Sequence, residues 1–416
     1  MKTLAVNSLY LTLARGLAFG SRAILLLILA RMSTQHEFIE ATITVTLAET
    51  FRVAADLGVE TWLVRAIGIA VSPIEEARAL QSGVTLRIFG AVGAATIAAL
   101  IALGPLGLGG WFAGVAAVLT ITGLIGGVSV AILQARMQLQ RLARSQIPIL
   151  VTALVVVYVE ARAHRSTEVI LLTLAMFEIG SMIATIIVAD VHRWMRGLLT
   201  VRDLRVVIAE CTPVAIFNML VGIYLRLDVW CITIYAAAAL PTYSVAFRLY
   251  QPAALVTSSM AGVVYAAMAR RFGLQQPGTR RHDVGTGILI AVATVGLAVL
   301  LWFGGPKFIS GIFPHYARAA GVVRIFAMSV PIVAMNGMLT SILAARGRFV
   351  SLSRLAAFNL VVFALALRFL VPAYGAIGAA TALLLGETLN TGLQAWLVRT
   401  NAGVSTAGGS GCGTVR

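Results

Sequence analysis

Charge is scarce in this chain, and what there is falls almost entirely on arginine. Only 12% of its 416 residues are charged, and Lys2 and Lys307 are the two lysines. A soluble domain carries about a quarter charged residues, so too few are present to cover a water-facing surface. The three cysteines give no disulfide framework. Cys211 and Cys231 lie on one expected helix, roughly 30 Å apart at the helical rise, and Cys412 stands alone near the end. The five histidines (36, 164, 192, 282 and 315) fall in connections or at span ends. HExxH, a P-loop and an acidic metal-binding cluster are all missing. So are the large outer-face loop and the acidic catalytic pair of a membrane polymerase or glycosyl transferase. The sequence therefore predicts no enzyme, no cofactor and no resident metal.

What is abundant is apolar length. Hydrophobic residues make up 59% of the chain, with a mean hydropathy of +0.94. A bilayer core of about 30 Å takes about 20 apolar residues per helix, whereas barrel strands would alternate over about ten. The expected class is therefore an all-α integral membrane protein of about twelve transmembrane helices. The spans are placed at 9–30, 38–63, 83–104, 111–133, 146–159, 168–189, 206–236, 240–268, 285–304, 322–345, 354–371 and 374–397. The Gly/Ser/Thr-rich stretch 401–416 is expected to be a disordered cytoplasmic tail.

The basic residues between spans are sorted by side. Lys2, Arg65, Arg78, Arg136, Arg141, Arg144, Arg193, Arg196, Arg202, Arg205, Arg270, Arg271, Arg280, Arg281, Arg346, Arg348, Arg354, Arg399 and Arg416 make nineteen on one side. Arg31, Arg162, Arg165, Lys307 and Arg318 make five on the other. Because cytoplasmic loops collect Lys and Arg, both termini are expected in the cytoplasm. Treating the first span as a cleaved signal would break this alternation. The net charge of +16 is accordingly read as topology, with membrane lipids as surroundings and no nucleic acid as partner. A shift of 205 residues sets Phe38 on Tyr243 and Arg65 on Arg270. This suggests two parallel six-helix bundles, 1–200 and 201–400, related by a pseudo-two-fold axis along the membrane normal.

Charges inside spans carry the functional reading, since each costs about 2.5–3.5 kcal/mol at the bilayer centre. Those taken as informative are Arg15, Arg22, Glu49, Arg52, Asp56, Glu178, Arg226, Asp228, Arg248, Arg324, Arg368 and Glu387. Arg87 and Glu210 are placed near cytoplasmic ends, where snorkelling explains them. Arg22 and Arg52 both count to about 20 Å from the face where their helices enter. Glu49, Arg52 and Asp56 share a helix face, so pairing within the helix is one reading. Arg15 and Arg22 have no acid on their own helix. Some arginines are then expected to face a water-filled cavity and complete their pairing with an anionic ligand, for which the planar guanidinium suits phosphate.

Three stretches resemble the polysaccharide-transporter or O-antigen flippase family, the oligosaccharide-lipid flippases of the multidrug/oligosaccharidyl-lipid/polysaccharide exporter superfamily. They are Ala30-Arg31-Met32-Ser33 through Glu37-Phe38 to Asp56-Leu57-Gly58 and Leu63-Val64-Arg65, then Asp228 with Tyr243 to Leu249, and Pro372 to Ala380. Ile39 and Thr242 stand where the family often has glycine, and a proline is missing near Ala266-Ala267. The resemblance implies a V-shaped pair of bundles around a central cationic cavity. It also implies a polyprenyl-diphosphate-linked sugar as cargo, alternating access in a bacterial inner membrane, and possible work beside a polymerase in lipopolysaccharide or exopolysaccharide biosynthesis. By this match Arg15, Arg22, Arg52, Arg226 and Arg248 are the expected substrate contacts, with Glu49, Asp56 and Asp228 as charge partners. The alternatives within the superfamily are a drug/cation antiporter, which wants an acidic cavity, and a peptidoglycan-precursor flippase, which usually has fourteen spans.

Overall fold

Helices begin where the sequence offers caps. Thr34 accepts from the Glu37 amide at 3.4 Å while its own amide donates to the Glu37 carboxylate at 3.0 Å, a reciprocal cap that satisfies two of the helix's orphan donors. Ser72 caps the helix opened by Pro73, with Glu75 and Glu76 in its first turn. The computed structural model describes residues 24–69, 72–136, 138–163, 166–191, 201–273, 280–346 and 348–400. Arg15 and Arg22 lie outside them.

The described helices are α1 (24–32), α2 (Gln35–Ala54), α3 (Val59–Ile69), α4 (Pro73–Leu103), α5 (Gly110–Ala135), α6 (Leu139–Arg162), α7 (Thr167–Val188), α8 (Val201–Tyr235), α9 (Leu240–Gly273), α10 (Arg280–Ile312), α11 (Ala319–Ala345) and α12 (Phe349–Thr400). No strand occurs among the described residues. Eight of these helices are long and apolar enough to cross a membrane.

Two breaks set the crossings. The expected second span is divided into α2 and α3 at Asp56-Leu57-Gly58, where Leu57 and Gly58 have φ of 46° and 69°. Gly58 takes that conformation without penalty; Leu57 is held there against its side chain. Near the other end, α12 turns at Gly375 with φ 55°, so one long helix supplies the eleventh and twelfth crossings. Two expected spans prove longer than hydropathy suggested: α6 runs 24 residues through Pro148, and α8 runs 35 residues through Arg226 and Asp228.

The helices pack as two bundles. In the first, α4 and α7 lie against α5, α6 against α7, and α2 with α3 against α5; in the second, α9, α10 and α12 surround α11, and α8 lies on α12. The two halves meet chiefly where α2 crosses α8, with α9 beside it. Lipid tails are as apolar as leucine, so helix association in a membrane depends on close packing and polar contacts more than on burial of apolar area. The crossing shows both. Val53 fills the space left by Gly222, where a methyl group would overlap it. Trp230 Nε1 donates to Thr50 Oγ1 at 3.1 Å. Towards the start of α2, Gln35 Nε2 donates to the Ala238 carbonyl at 3.3 Å, and Phe38 meets Tyr316 with ring centroids 6.3 Å apart. Phe38 and Tyr243, matched by the 205-residue shift, are both fully buried.

Candidate functional site

Beside the α2–α8 crossing lies a cavity of about 290 Å³ lined by α2 and α3, α4, α5 and α8. Its charged lining is Arg52, Asp56, Glu60 and Arg87, and Asn218 adds an amide. The remaining walls are small or apolar, among them Gly123, Gly127 and Gly222. The glycines decide the room available. A methyl group at Gly123 would overlap the Arg52 side chain, so that glycine lets Arg52 lie across α5. At Gly127 an added Cβ would stand 3.7 Å from both Arg87 Nη2 and Glu60 Oε2.

The structure corrects the reading of Arg87. Snorkelling predicts an arginine reaching water, but Arg87 is only 3% exposed and lines the cavity. The reason is where α4 begins. Its polar first turns resemble a connection, yet Ser72 and Pro73 start the helix there. Arg87 is then fourteen residues in, about 21 Å along the axis. The cap signal Ser-Pro-x-Glu would have placed it correctly. Arg87 Nη2 donates to Asp56 Oδ1, and Glu60 Oε2 lies 4.0 Å from the same nitrogen. Glu60 falls inside the expected second span, 38–63, but was not singled out there; the break at Leu57-Gly58 is what brings it to Arg87.

The expected charge partners find their partners across helices. Glu49 of α2 pairs with Arg226 of α8 at 2.6 Å, both nearly buried, and so joins the two halves. Asp56 pairs with Arg87 of α4. Pairing of both acids with Arg52 within α2 was one reading of their spacing; the fold also brings an arginine to each from a neighbouring helix. Asp228 had been expected as a charge partner of the arginines, though not of Arg226 on its own helix face. Its hydrogen bonds instead come from the Tyr243 hydroxyl and, at 2.7 Å, the Val229 amide. Arg248 is buried on α9, with Nη1 donating to Gln251 at 3.0 Å. Of the expected substrate contacts among the described residues, the cavity brings in Arg52; Arg226 and Arg248 stand outside its lining.

Two other arginines in spans have aromatic neighbours: Arg324 lies 5.9 Å from the Trp302 ring centroid and Arg368 5.0 Å from that of Tyr235. Such cation–π contacts offset part of the cost of a cation in lipid. In the second bundle Glu387 is buried with neutral donors, the Tyr224 hydroxyl at 2.7 Å and the Asn336 amide at 2.6 Å. This network joins α8, α11 and the second half of α12.

No family model matches the chain, and no curated protein matches its sequence. Solved structures do share its fold. The lipid II flippase MurJ, in an inward closed conformation, aligns with a TM-score of 0.69 at 14% identity over 94% of this chain and 87% of its own. An inward-facing multidrug resistance MATE family transporter of the MOP superfamily aligns at 0.66 and 12% identity, over 98% and 100%. A mutant of the Vibrio cholerae MATE transporter VcmN aligns at 0.66 and 13% identity, over 97% and 99%. The fold is the twelve-helix, two-bundle arrangement of the MOP-superfamily transporters.

Proposed function

We propose that the protein is a flippase that carries a polyprenyl-diphosphate-linked oligosaccharide from the cytoplasmic to the outer leaflet by alternating access between its two bundles. The single observation that carries this reading is the arginine-bearing cavity beside the crossing of the halves. A cavity near 290 Å³ lies at the small end of the range for ligand sites. It suits a diphosphate headgroup, whose polyprenyl tail would stay in lipid and whose sugars would extend beyond it. Arg52 offers the parallel donors that a phosphate accepts. Arg15 and Arg22 belong to the same proposal from their spacing alone. The membrane is a bacterial cytoplasmic one, and a polymerase acting on the delivered sugar is the partner that this chemistry implies. MurJ, named as a lipid II flippase, gives the lipid-linked substrate a precedent on this fold.

Vesicles containing the purified protein and a fluorescent polyprenyl-diphosphate oligosaccharide test the reading, with quencher accessibility reporting leaflet exchange. Arg52→Lys keeps the charge but loses the fork, so exchange should fall roughly tenfold at unchanged protein level. Arg52→Gln should fall at least as far. Exchange at the wild-type rate in both variants would remove Arg52 from the site. Uptake of an organic cation without lipid movement would favour the MATE-like alternative, and movement of lipid II alone the peptidoglycan one.

The direction of transport rests on both termini being cytoplasmic, which the nineteen-to-five distribution of basic residues supports. Reporter fusions after Arg205 and after Arg399 should both read cytoplasmic. A periplasmic signal at either overturns the orientation.

A further inference from the structure

We infer that Arg87 is a second anion ligand of the cavity, and that Asp56 and Glu60 are built-in competitors which the anion must displace from it. This rests on the proposed anion site and adds the groups that regulate it.

The geometry points this way in three steps. First, Arg87 is buried yet bonded along only part of its guanidinium. Nη2 is engaged by Asp56 and faces Glu60 at 4.0 Å, while Nε, also buried, makes no hydrogen bond among the described residues. A guanidinium presents five donors, and a buried charged donor left unpaired is expensive. Second, the space beside it is open. α5 faces the cavity with Gly123 and Gly127, so no α5 side chain covers the guanidinium. Third, Arg52 lines the same 290 Å³. Two arginines on two helices, α2 and α4, are what a diphosphate needs if each phosphoryl group is to be held separately.

The acids give the site its release. The lining holds two arginines and two carboxylates, so its formal charges balance. The other charged groups near the α2–α8 crossing, Glu49 and Arg226, are paired with each other. A diphosphate entering this cavity reaches Arg87 only by taking it from Asp56, and Asp56 stays in place to take it back. An arginine clamp without such acids would hold its anion more tightly and let go more slowly. A ligand shifts a transporter between states only through its differential affinity for them, so weakened holding is what allows the cargo to leave. Asp56 is also the last residue before the left-handed Leu57-Gly58 break, which turns the chain so that its carboxylate meets α4.

The test is equilibrium binding of farnesyl diphosphate and of inorganic pyrophosphate to the detergent-purified full chain, with melting temperature followed in parallel. Wild type should bind farnesyl diphosphate more tightly than pyrophosphate, because the site serves a lipid-borne headgroup. Asp56→Asn should bind both about tenfold more tightly, since the competing charge-assisted bond is removed. Arg87→Gln should bind at least tenfold more weakly. If Asp56→Asn does not fold, Glu60→Gln carries the same test, with a tightening of about threefold from the more distant carboxylate. A purely structural Asp56–Arg87 pair gives the opposite signs: a lower melting temperature and unchanged or weaker binding in Asp56→Asn. That result overturns the inference while leaving the anion site standing. Equal binding of the two probes overturns the lipid assignment. Failure of wild type to bind either probe overturns both the inference and the anion site.

Discussion

Glu49→Gln should cut the amount of protein in the membrane several-fold, and the double swap Glu49→Arg with Arg226→Glu should restore most of it. The 2.6 Å pair joins α2 of one bundle to α8 of the other, with side-chain exposures of only 10% and 13%. Breaking a buried pair by removing one partner typically costs about 3–5 kcal/mol, because a charge is left behind without its counter-ion. That is a large part of an ordinary protein's total stability of about 5–15 kcal/mol. The swap keeps one charge of each sign at the crossing, so its recovery separates lost pairing from lost local shape. Immunoblots of membrane fractions read the outcome. Normal abundance of Glu49→Gln would show that this contact does not hold the halves together, and would return Arg226 to the set of arginines available for cargo.

The larger effect should come from a residue with no charge. Gly222→Val should leave almost no transport-competent protein, and Val53→Gly on the same chain should recover part of it. Val53 occupies the space where a Gly222 side chain would begin, and valine has little rotamer freedom on a helix with which to withdraw. Overpacking a filled interface costs typically 1–3 kcal/mol. Here it also pushes apart the helices that carry the Glu49–Arg226 and Thr50–Trp230 contacts, so the losses compound. Gly222→Ala should be intermediate. Export together with membrane level is the measurement. A tolerated Gly222→Val, without help from position 53, would mean that α2 and α8 do not cross this closely in the working protein.

The site was only partly visible in the sequence, and the reasons differ by residue. Arg52 could be found because an arginine so far from either end of an apolar run has few structural explanations. Arg87 could not be found by hydropathy, because the polar first turns of α4 hid fourteen residues of helix before it. Glu60 lay within the expected second span, but nothing there showed that it faces Arg87, because the break at Leu57-Gly58 that aims it leaves the hydropathy unchanged. Partners were the least legible feature. Spacing along one helix names neighbours at i+3 and i+4, yet Glu49, Asp56 and Asp228 are satisfied by Arg226, Arg87 and Tyr243 on helices or turns elsewhere in the chain.

The sequence by itself determined that this protein is helical and lives in lipid, because 59% apolar residues and 12% charged ones admit no other solvent and a backbone in hydrocarbon must satisfy its own hydrogen bonds. It also suggested the two-bundle layout, through the 205-residue shift that sets Phe38 on Tyr243 and Arg65 on Arg270. Tertiary structure alone decided which charges oppose one another, and so where a cavity can hold an anion. Ion pairing in a low-dielectric interior depends on distances of a few ångströms between groups far apart in sequence, and those distances are set by glycines that let helices close and by breaks that aim a side chain across the gap.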